Sequence, residues 1–278
     1  MQVQQESTQH ASMSQDEIIQ QLQQQVASLT MENATLRDQL ENKEQFTTMI
    51  VHELRNPLAP IMNYAKILSR HTCTPGENAS KGKRGRGNRA DAIQRGTGII
   101  MGQAKRMNRL VNDLLDSSRL SSSRFSLMRS MCDLSMLVQE VVESIRPVAP
   151  YHTFDVLLPA EAIMGNWDSE RLQQVIGNLL DNAAKYSDEY TTITIHVWIT
   201  PGEAHVSVHN QGSSIPSADL EQLFQPYTRL KAAGGRQGLG LGLYIAHSII
   251  EAHGGKLRLE PHIDKDSKGT TFAFDLPL

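Results

Sequence analysis

Residues 178–186 read Asn178-Leu-Leu-Asp-Asn182-Ala-Ala-Lys185-Tyr186, and the apolar positions around them recur with a helical period. Leu172, Ile176, Leu179 and Ala183 fall on one stripe, whereas Asn178, Asn182 and Lys185 share a face about 120° round the helix from it. Two amide oxygens and an ammonium on one face suit a hydrated Mg²⁺ with phosphates, because Mg²⁺ is a hard ion that prefers oxygen. Downstream, Ile193, Ile195, Val197 and Ile199 alternate with Thr192, Thr194, His196 and Trp198, the period-two pattern of a half-buried strand. Ala204, Val206 and Val208 repeat it after a Pro201-Gly202 turn, which predicts a hairpin. Leu257/Leu259 and Phe272/Phe274/Leu276 predict two more strands. From about Asp133 onward the texture is therefore α/β.

Two more polar constellations sit among these elements. Asn210-Gln-Gly212-Ser213-Ser214-Ile215 is a polar turn at the end of a strand. Gly238-Leu-Gly240-Leu-Gly242-Leu243-Tyr244-Ile245 places glycines ahead of a helix, where backbone N–H groups can approach an anion at the positive helix N-terminus. Each is a weak sign by itself, since a flexible loop has the same composition.

Upstream, Phe46 to Leu58 continues a helical pattern. Ile50, Leu54, Pro57, Ile61, Ala65 and Leu68 cluster on one side of the wheel, and His52 falls on the opposite side. Glu53 and Asn56 lie within about 100° and 40° of His52, so the three can meet one incoming ligand. A satisfied core histidine is at odds with this wheel. A zinc site of the H-E-x-x-H kind is excluded because position 56 is Asn. His52 is thus a candidate nucleophile. Pro57 and Pro60 are expected to kink the helix, which should end near Thr72.

Residues 73–89 hold four glycines, Pro75, and Lys81, Lys83, Arg84, Arg86 and Arg89 against the single acid Glu77. This reads as a solvated basic loop, or as a patch for an acidic partner, although no aromatic is interleaved for base stacking. Ile100, Ala104, Met107, Val111 and Leu114 then restore a heptad-like stripe, and two such hairpins would complete a four-helix bundle.

The N-terminal segment 1–15 is Gln/Ser-rich and is expected to be disordered. Over 16–44, Ile19, Val26, Asn33 and Leu40 recur every seven residues, with Leu22, Leu29 and Leu36 in the second seam. β-branched residues at a, Leu at d and one buried Asn favour a parallel two-stranded coiled coil; an amphipathic helix packed on its own domain is the alternative. The 278 residues carry 27 Lys plus Arg against 30 Asp plus Glu, a net charge of −3, which argues against bulk attraction to nucleic acid or an anionic membrane. No apolar run approaches the roughly 18 residues of a membrane helix, and no signal-peptide core is present. Two cysteines, Cys73 and Cys132, do not make a disulfide scaffold, so a cytoplasmic protein is expected.

Taken together and in this order, the motifs over about 44–278 resemble the sensor histidine kinases of two-component signalling. Phe46 to Pro57 resembles the family's phosphoacceptor box, and Asn178 to Tyr186 its N box. Asn210 to Ile215 resembles the first glycine box, Leu223-Phe224-Gln225-Pro226-Tyr227-Thr228-Arg229 the F box, and Gly238 to Gly242 the second glycine box. The resemblance implies an α+β multidomain chain: a coiled-coil stalk (16–44), a dimeric phosphotransfer hairpin (45–125) forming a four-helix bundle, and an α/β-sandwich ATP-binding domain (130–278). It implies transfer of the γ-phosphoryl group of ATP to His52, with Glu53 holding the imidazole tautomer and Asn56 positioning water for a phosphatase reaction. Asn182 would hold Mg²⁺ and Lys185 would contact phosphate. Asn178, Tyr186, Asn210, Gly212, Ile215, Phe224, Gly238, Gly240, Gly242 and Leu243 would complete the nucleotide site. The expected partners are a second copy of the chain and, with no receiver domain after Leu278, the receiver domain of a separate response regulator.

Two departures stand out. The first glycine box usually opens with Asp, whose carboxylate takes the adenine amino group, and here it is Asn210; the loss of charge assistance is on the order of 1 kcal/mol. Its second glycine is Ser214, which tolerates φ > 0 poorly. A weakly ATP-binding pseudokinase acting as a dimeric scaffold or response-regulator phosphatase is the alternative function.

Overall fold

A computed structural model describes residues 15–72, 84–121, 125–228, 238–260 and 269–278. The disorder expected for the N-terminus and most of the basic loop, residues 73–83, lie outside the described residues. The chain divides into two units, Met1–His52 and Glu53–Leu278.

Helix α1 (Gln15–Thr72) is continuous over the heptad segment, and it ends at Thr72, where the change in composition places its end. In the first unit Ile19, Leu22, Val26 and Leu29 are each half or more exposed on the single chain, and Asn33 donates to the Leu29 carbonyl at 3.0 Å. The helix remains intact through Pro57 and Pro60.

In the second unit, the rest of α1 pairs with α2 (Arg84–Ser121). Gly96 lies against Leu68 and Arg106 against Glu53, so the two run antiparallel. Gly96 is buried, and an added Cβ would meet the Leu68 side chain at 3.2 Å. Residues 84–89, expected in the basic loop, form the first turns of α2 instead. Arginine is a good helix former, and Gly85 and Gly87 cost only about 1 kcal/mol each relative to Ala in a helix of this length.

The remaining chain is a two-layer α/β sandwich. Strands β1 (Ser130–Asp133) and β3 (Met164–Trp167) form a small antiparallel pair. The main sheet has the order β2-β4-β5-β7-β6, from β2 (Thr153–Leu157), β4 (Thr192–Thr200), β5 (Glu203–Asn210), β6 (Lys256–Glu260) and β7 (Thr270–Pro277). Among the described residues only the β2–β4 pairing is parallel. Helices α3 (Leu134–Ile145), α4 (Ser169–Tyr186) and α5 (Gly242–His253) supply the second layer. The alternating residues behave as expected: Ile193, Ile195, Val197, Ala204, Val206 and Val208 are buried, and so is the α4 stripe of Leu172, Ile176, Leu179 and Ala183. Ile199, at the strand end, is 54% exposed.

The start of α4 is anchored by polar contacts. Asp168 caps it by accepting from the Arg171 N–H at 3.1 Å. The Asp168 N–H donates to Nε2 of buried His253, whose Nδ1 lies 2.8 Å from the Ile249 carbonyl. His253 is thereby fixed as the neutral Nδ1–H tautomer, and burial lowers its pKa from the usual histidine value. Trp167, fully buried, donates to the Pro277 carbonyl at 3.0 Å, and Gly165 leaves room for its ring: a Cβ there would fall 2.2 Å from it. These contacts tie the start of α4, the helix that carries the polar face, to the end of α5 and the end of β7.

Candidate active site

Within the second unit, a cleft of about 510 Å³ opens over the polar face of α4. That volume lies in the range of small-ligand pockets. From α4 it takes Asn178, Asp181, Asn182, Lys185 and Tyr186; from the end of β5 and the following turn, Asn210, Ser213, Ser214, Ile215 and Pro216. Leu223, Thr228, Gly238 to Leu243, and Thr270 and Phe272 of β7 close its other walls. Three motifs separated by up to 60 residues of sequence thus meet around one cavity.

The local structure of each wall follows from its residues. Gly240 has φ +69°, and a Cβ there would lie 2.6 Å from the Thr228 carbonyl oxygen, so only glycine fits this crossing. Gly242 opens α5, placing that helix's first N–H groups at the cleft. Asn178 donates through Nδ2 to the Gly242 carbonyl at 3.1 Å and ties α4 to the start of α5. Lys185 pairs with Asp181 one turn earlier at 2.5 Å. The lining of the cleft combines apolar residues, Phe272, Ile215 and Leu239 among them, with the charged Asp181 and Lys185 of α4. A nucleotide combines the same two characters, an aromatic base and an anionic tail.

Two expected members stand elsewhere. Phe224 is not among the cleft residues; it stacks on His247 of α5 with ring centroids 4.8 Å apart, and its neighbour Leu223 faces the cavity. Gly212 lies behind the wall, bridged to Ser187, where a Cβ would meet the Tyr186 carbonyl oxygen at 2.1 Å. Ser214 is under no strain, because among the described residues the non-glycine positions with positive φ are Tyr190 and Tyr227. The turn at 214 does not use the left-handed region, so the serine costs nothing there.

Other cleft residues came from a helix that the sequence did not connect with it. Arg106, Arg109, Leu110 and Asp113 of α2 line the cavity. Their docking is fixed lower down α2, where buried Asp116 accepts from Arg171 and from Gln174 of α4, both at 2.8 Å. The Ser117 and Tyr227 hydroxyls lie 3.3 Å apart. Burial raises the Asp113 carboxyl to about 6, with Asp116 and Asp181 pushing the same way and Arg109 opposing. The folded chain therefore holds a proton on Asp113 that the unfolded chain has released above its ordinary value of 3.8. That contribution to stability is complete below 3.8 and is lost as pH rises through about 6. Asp113→Asn should remove this fall and stabilise the chain at neutral pH by about 1–2 kcal/mol. Thermal melts from pH 4 to 8 check it; a variant whose curve runs parallel to that of the native chain would contradict the assignment.

On the hairpin, His52 is exposed and Asn56 half-buried on α1. Glu53, expected to share the exposed face, is only 4% exposed, with its carboxylate 3.5 Å from Arg106 of α2. One residue along a helix is a turn of about 100°, enough to carry Glu53 into the α1–α2 seam.

Residues 42–123 match the His Kinase A (phospho-acceptor) domain family. Residues 167–278 match the histidine kinase-, DNA gyrase B-, and HSP90-like ATPase family. The chain is 31% identical to the adaptive-response sensory kinase SasA of Synechococcus sp. (strain JA-3-3Ab), over 94% of this chain and 66% of that one. It is 29% identical to the sensor histidine kinase WalK of Bacillus subtilis (strain 168), over 85% of this chain and 37% of that one. It spans about two thirds of the first relative's length and little more than a third of the second's. Among solved structures, full-length ShkA in complex with AMPPNP aligns with a TM-score of 0.53 at 25% identity, covering 84% of this chain and 45% of that one. Fold and site thus define a phosphoacceptor hairpin joined to an ATP-binding sandwich. The chain belongs to the sensor histidine kinases of two-component signal transduction. Among the described residues no helix is long and apolar enough to cross a membrane.

Proposed function

We propose that this chain is a dimeric protein-histidine kinase that moves the γ-phosphoryl group of ATP onto His52 and then to an aspartate of a response-regulator receiver domain. The observation that carries the reading is the cleft, in which the α4 polar face, the Asn210–Ile215 turn and the Gly238–Leu243 loop converge on a cavity of nucleotide size. In this reading the base lies toward Phe272 and the phosphates toward Lys185 and the start of α5. Asn182, with Asn178 beside it, offers amide oxygens of the kind Mg²⁺ prefers, so the residues present fit that ion. When bound, Mg²⁺ would neutralise charge on the phosphates. Phosphoryl transfer needs chiefly positioning, and the protein's share is to hold the triphosphate while a ring nitrogen of His52 forms the P–N bond and ADP leaves. Glu53 is proposed to hold the proton-bearing nitrogen and so leave the other lone pair free; Asn56 is proposed to position water in a phosphatase reaction.

The pseudokinase reading has no observation in its favour. Asn210 still lines the cleft, and Ser214 leaves the backbone unstrained. Incubation with radiolabelled ATP and Mg²⁺ tests the proposal: the expected product is protein-bound phosphate that survives alkali and is lost in acid. No uptake of label at millimolar ATP would overturn it.

The open seam of Ile19, Leu22, Val26 and Leu29 supports a parallel dimer with Asn33 in register with its counterpart. Asn33→Leu should raise the melting temperature while loosening strand number, giving species beyond the dimer in sedimentation. A native chain that sediments as a monomer at micromolar concentration would sink the dimer.

A further inference from the structure

We propose that Arg109 of α2 contacts the γ-phosphate of the bound nucleotide, so that the phosphoacceptor hairpin itself supplies part of the triphosphate site. The proposal rests on the nucleotide reading of the cleft and adds to it a residue from outside the ATP-binding sandwich.

Arg109 lines the cavity, and its side chain is 65% exposed, so a ligand in the cleft has access to the guanidinium. It stands 4.0 Å from one oxygen of the Asp181 carboxylate. The other oxygen of that carboxylate is taken by the Lys185 ammonium at 2.5 Å. At 4.0 Å the Arg109 pair includes no hydrogen bond, and an ion pair this exposed adds little to stability. A stronger acceptor entering the cleft therefore draws the guanidinium from Asp181 at small cost. Arg106 lines the cavity too, but it is held toward buried Glu53, 3.5 Å away. Arg106, Arg109 and Lys185 face the cavity against Asp113 and Asp181, so its charged wall is net positive and complements an anion.

Two observations place the γ-phosphate, rather than the α or β, at Arg109. Arg109 shares its carboxylate partner with Lys185, so the two cations flank one volume, the one already assigned to phosphate. Arg109 also approaches that volume from the hairpin. Arg106, one turn earlier on α2, reaches Glu53, which follows His52 in the chain. The phosphoryl group that passes to His52 is the γ one, and it has to face the hairpin. A guanidinium presents a planar fork of donors that fits two oxygens of one phosphate, which suits it to a terminal group. The backbone from which Arg109 reaches is fixed by Asp116, received from α4 by Arg171 and Gln174.

Calorimetric titration of the native full chain and of Arg109→Gln tests this, with Mg·AMPPNP, an ATP analogue that keeps its γ-phosphate, compared against Mg·ADP. Loss of a charge-assisted contact to the γ-phosphate is expected to weaken AMPPNP at least about tenfold while ADP shifts by less than about twofold. A change of less than about fivefold in the ratio of the two dissociation constants would overturn the proposal, because loss of the Asp181 pair alone moves both nucleotides together. A second measurement uses the native chain and needs no variant. Phenylglyoxal, which modifies guanidinium groups, is expected to label Arg109 at least about fivefold more slowly under saturating Mg·AMPPNP than under saturating Mg·ADP, read by peptide mass mapping. A smaller difference would overturn the proposal even if Arg109→Gln failed to fold. If neither nucleotide binds the native chain, the nucleotide reading of the cleft itself fails, an outcome distinct from AMPPNP binding that is indifferent to Arg109.

Discussion

His52→Gln is expected to take up no acid-labile phosphate from radiolabelled ATP, while the native chain becomes labelled. A phosphoryl group on an imidazole is a phosphoramidate: protonation of the ring in acid makes it a leaving group, whereas alkali leaves the P–N bond intact. Phosphoserine resists acid, and an aspartyl phosphate is lost in alkali, so the pair of treatments identifies the linkage. Gln keeps size and polarity but has no nitrogen lone pair free to attack. Because His52 is exposed, its replacement should leave the fold alone, within about 0.5 kcal/mol. Nucleotide affinity should also be unchanged, since the role proposed for His52 is to accept the phosphoryl group, not to hold the nucleotide. Glu53→Gln provides the contrast. It keeps the shape that fills the α1–α2 seam beside Arg106, and it should slow labelling about 10²-fold at unchanged ATP affinity, the pattern of a group that acts on a proton in the transition state. Full labelling of His52→Gln would overturn the acceptor and the transfer chemistry with it.

Local periodicity carried the reading as far as the elements themselves. The α4 stripe and the β4–β5 alternation are buried as written, because a residue's place on a helix wheel or pleat is decided by its nearest neighbours in sequence. The glycine loops were legible for a related reason: Gly240 is needed where the chain takes positive φ against the Thr228 carbonyl, and few other residues can stand there. What could not be read depends on how elements dock. Asp113 and Arg109 look like ordinary solvated charges on an amphipathic helix, and they reach the cleft only because Asp116 is received by Arg171 and Gln174 from α4. A wheel drawn for α1 alone shows Glu53 about 100° from His52 but omits the seam that α2 makes beside it, where Glu53 is buried. Phe224, an aromatic within a motif, spends its ring on His247. A position often held by glycine does not always need a glycine conformation, and the backbone at Ser214 does not take one.

Gly212→Ala should damage the cleft severely, although Gly212 does not line it. The glycine bridges to Ser187 just past the end of α4, and the turn from Asn210 to Ile215 is held there as well by the Asp188 N–H on the Gln211 carbonyl at 2.8 Å. A Cβ on residue 212 would lie 2.1 Å from the Tyr186 carbonyl oxygen and 3.3 Å from the Ser187 Cα. Both neighbours are backbone, and the first belongs to the last turn of α4, so no side-chain rotation can relieve the clash. Either the turn moves away from α4 or the end of the helix unwinds. Either route separates Asn210 and Ile215 from Asn182 and Lys185, residues proposed to act on opposite ends of one nucleotide. The expected loss is about 2–4 kcal/mol in stability. ATP affinity should fall at least about tenfold under conditions where the variant remains folded. Gly98→Ala on α2 is the control: Gly98 does not line the cleft, its Cβ would meet nothing within 4 Å, and its φ is not in the left-handed region. Thermal melts and nucleotide titrations of the two variants side by side should separate them clearly. A Gly212→Ala chain that melts with the native protein and binds ATP as tightly would show that the turn does not set the shape of the cleft.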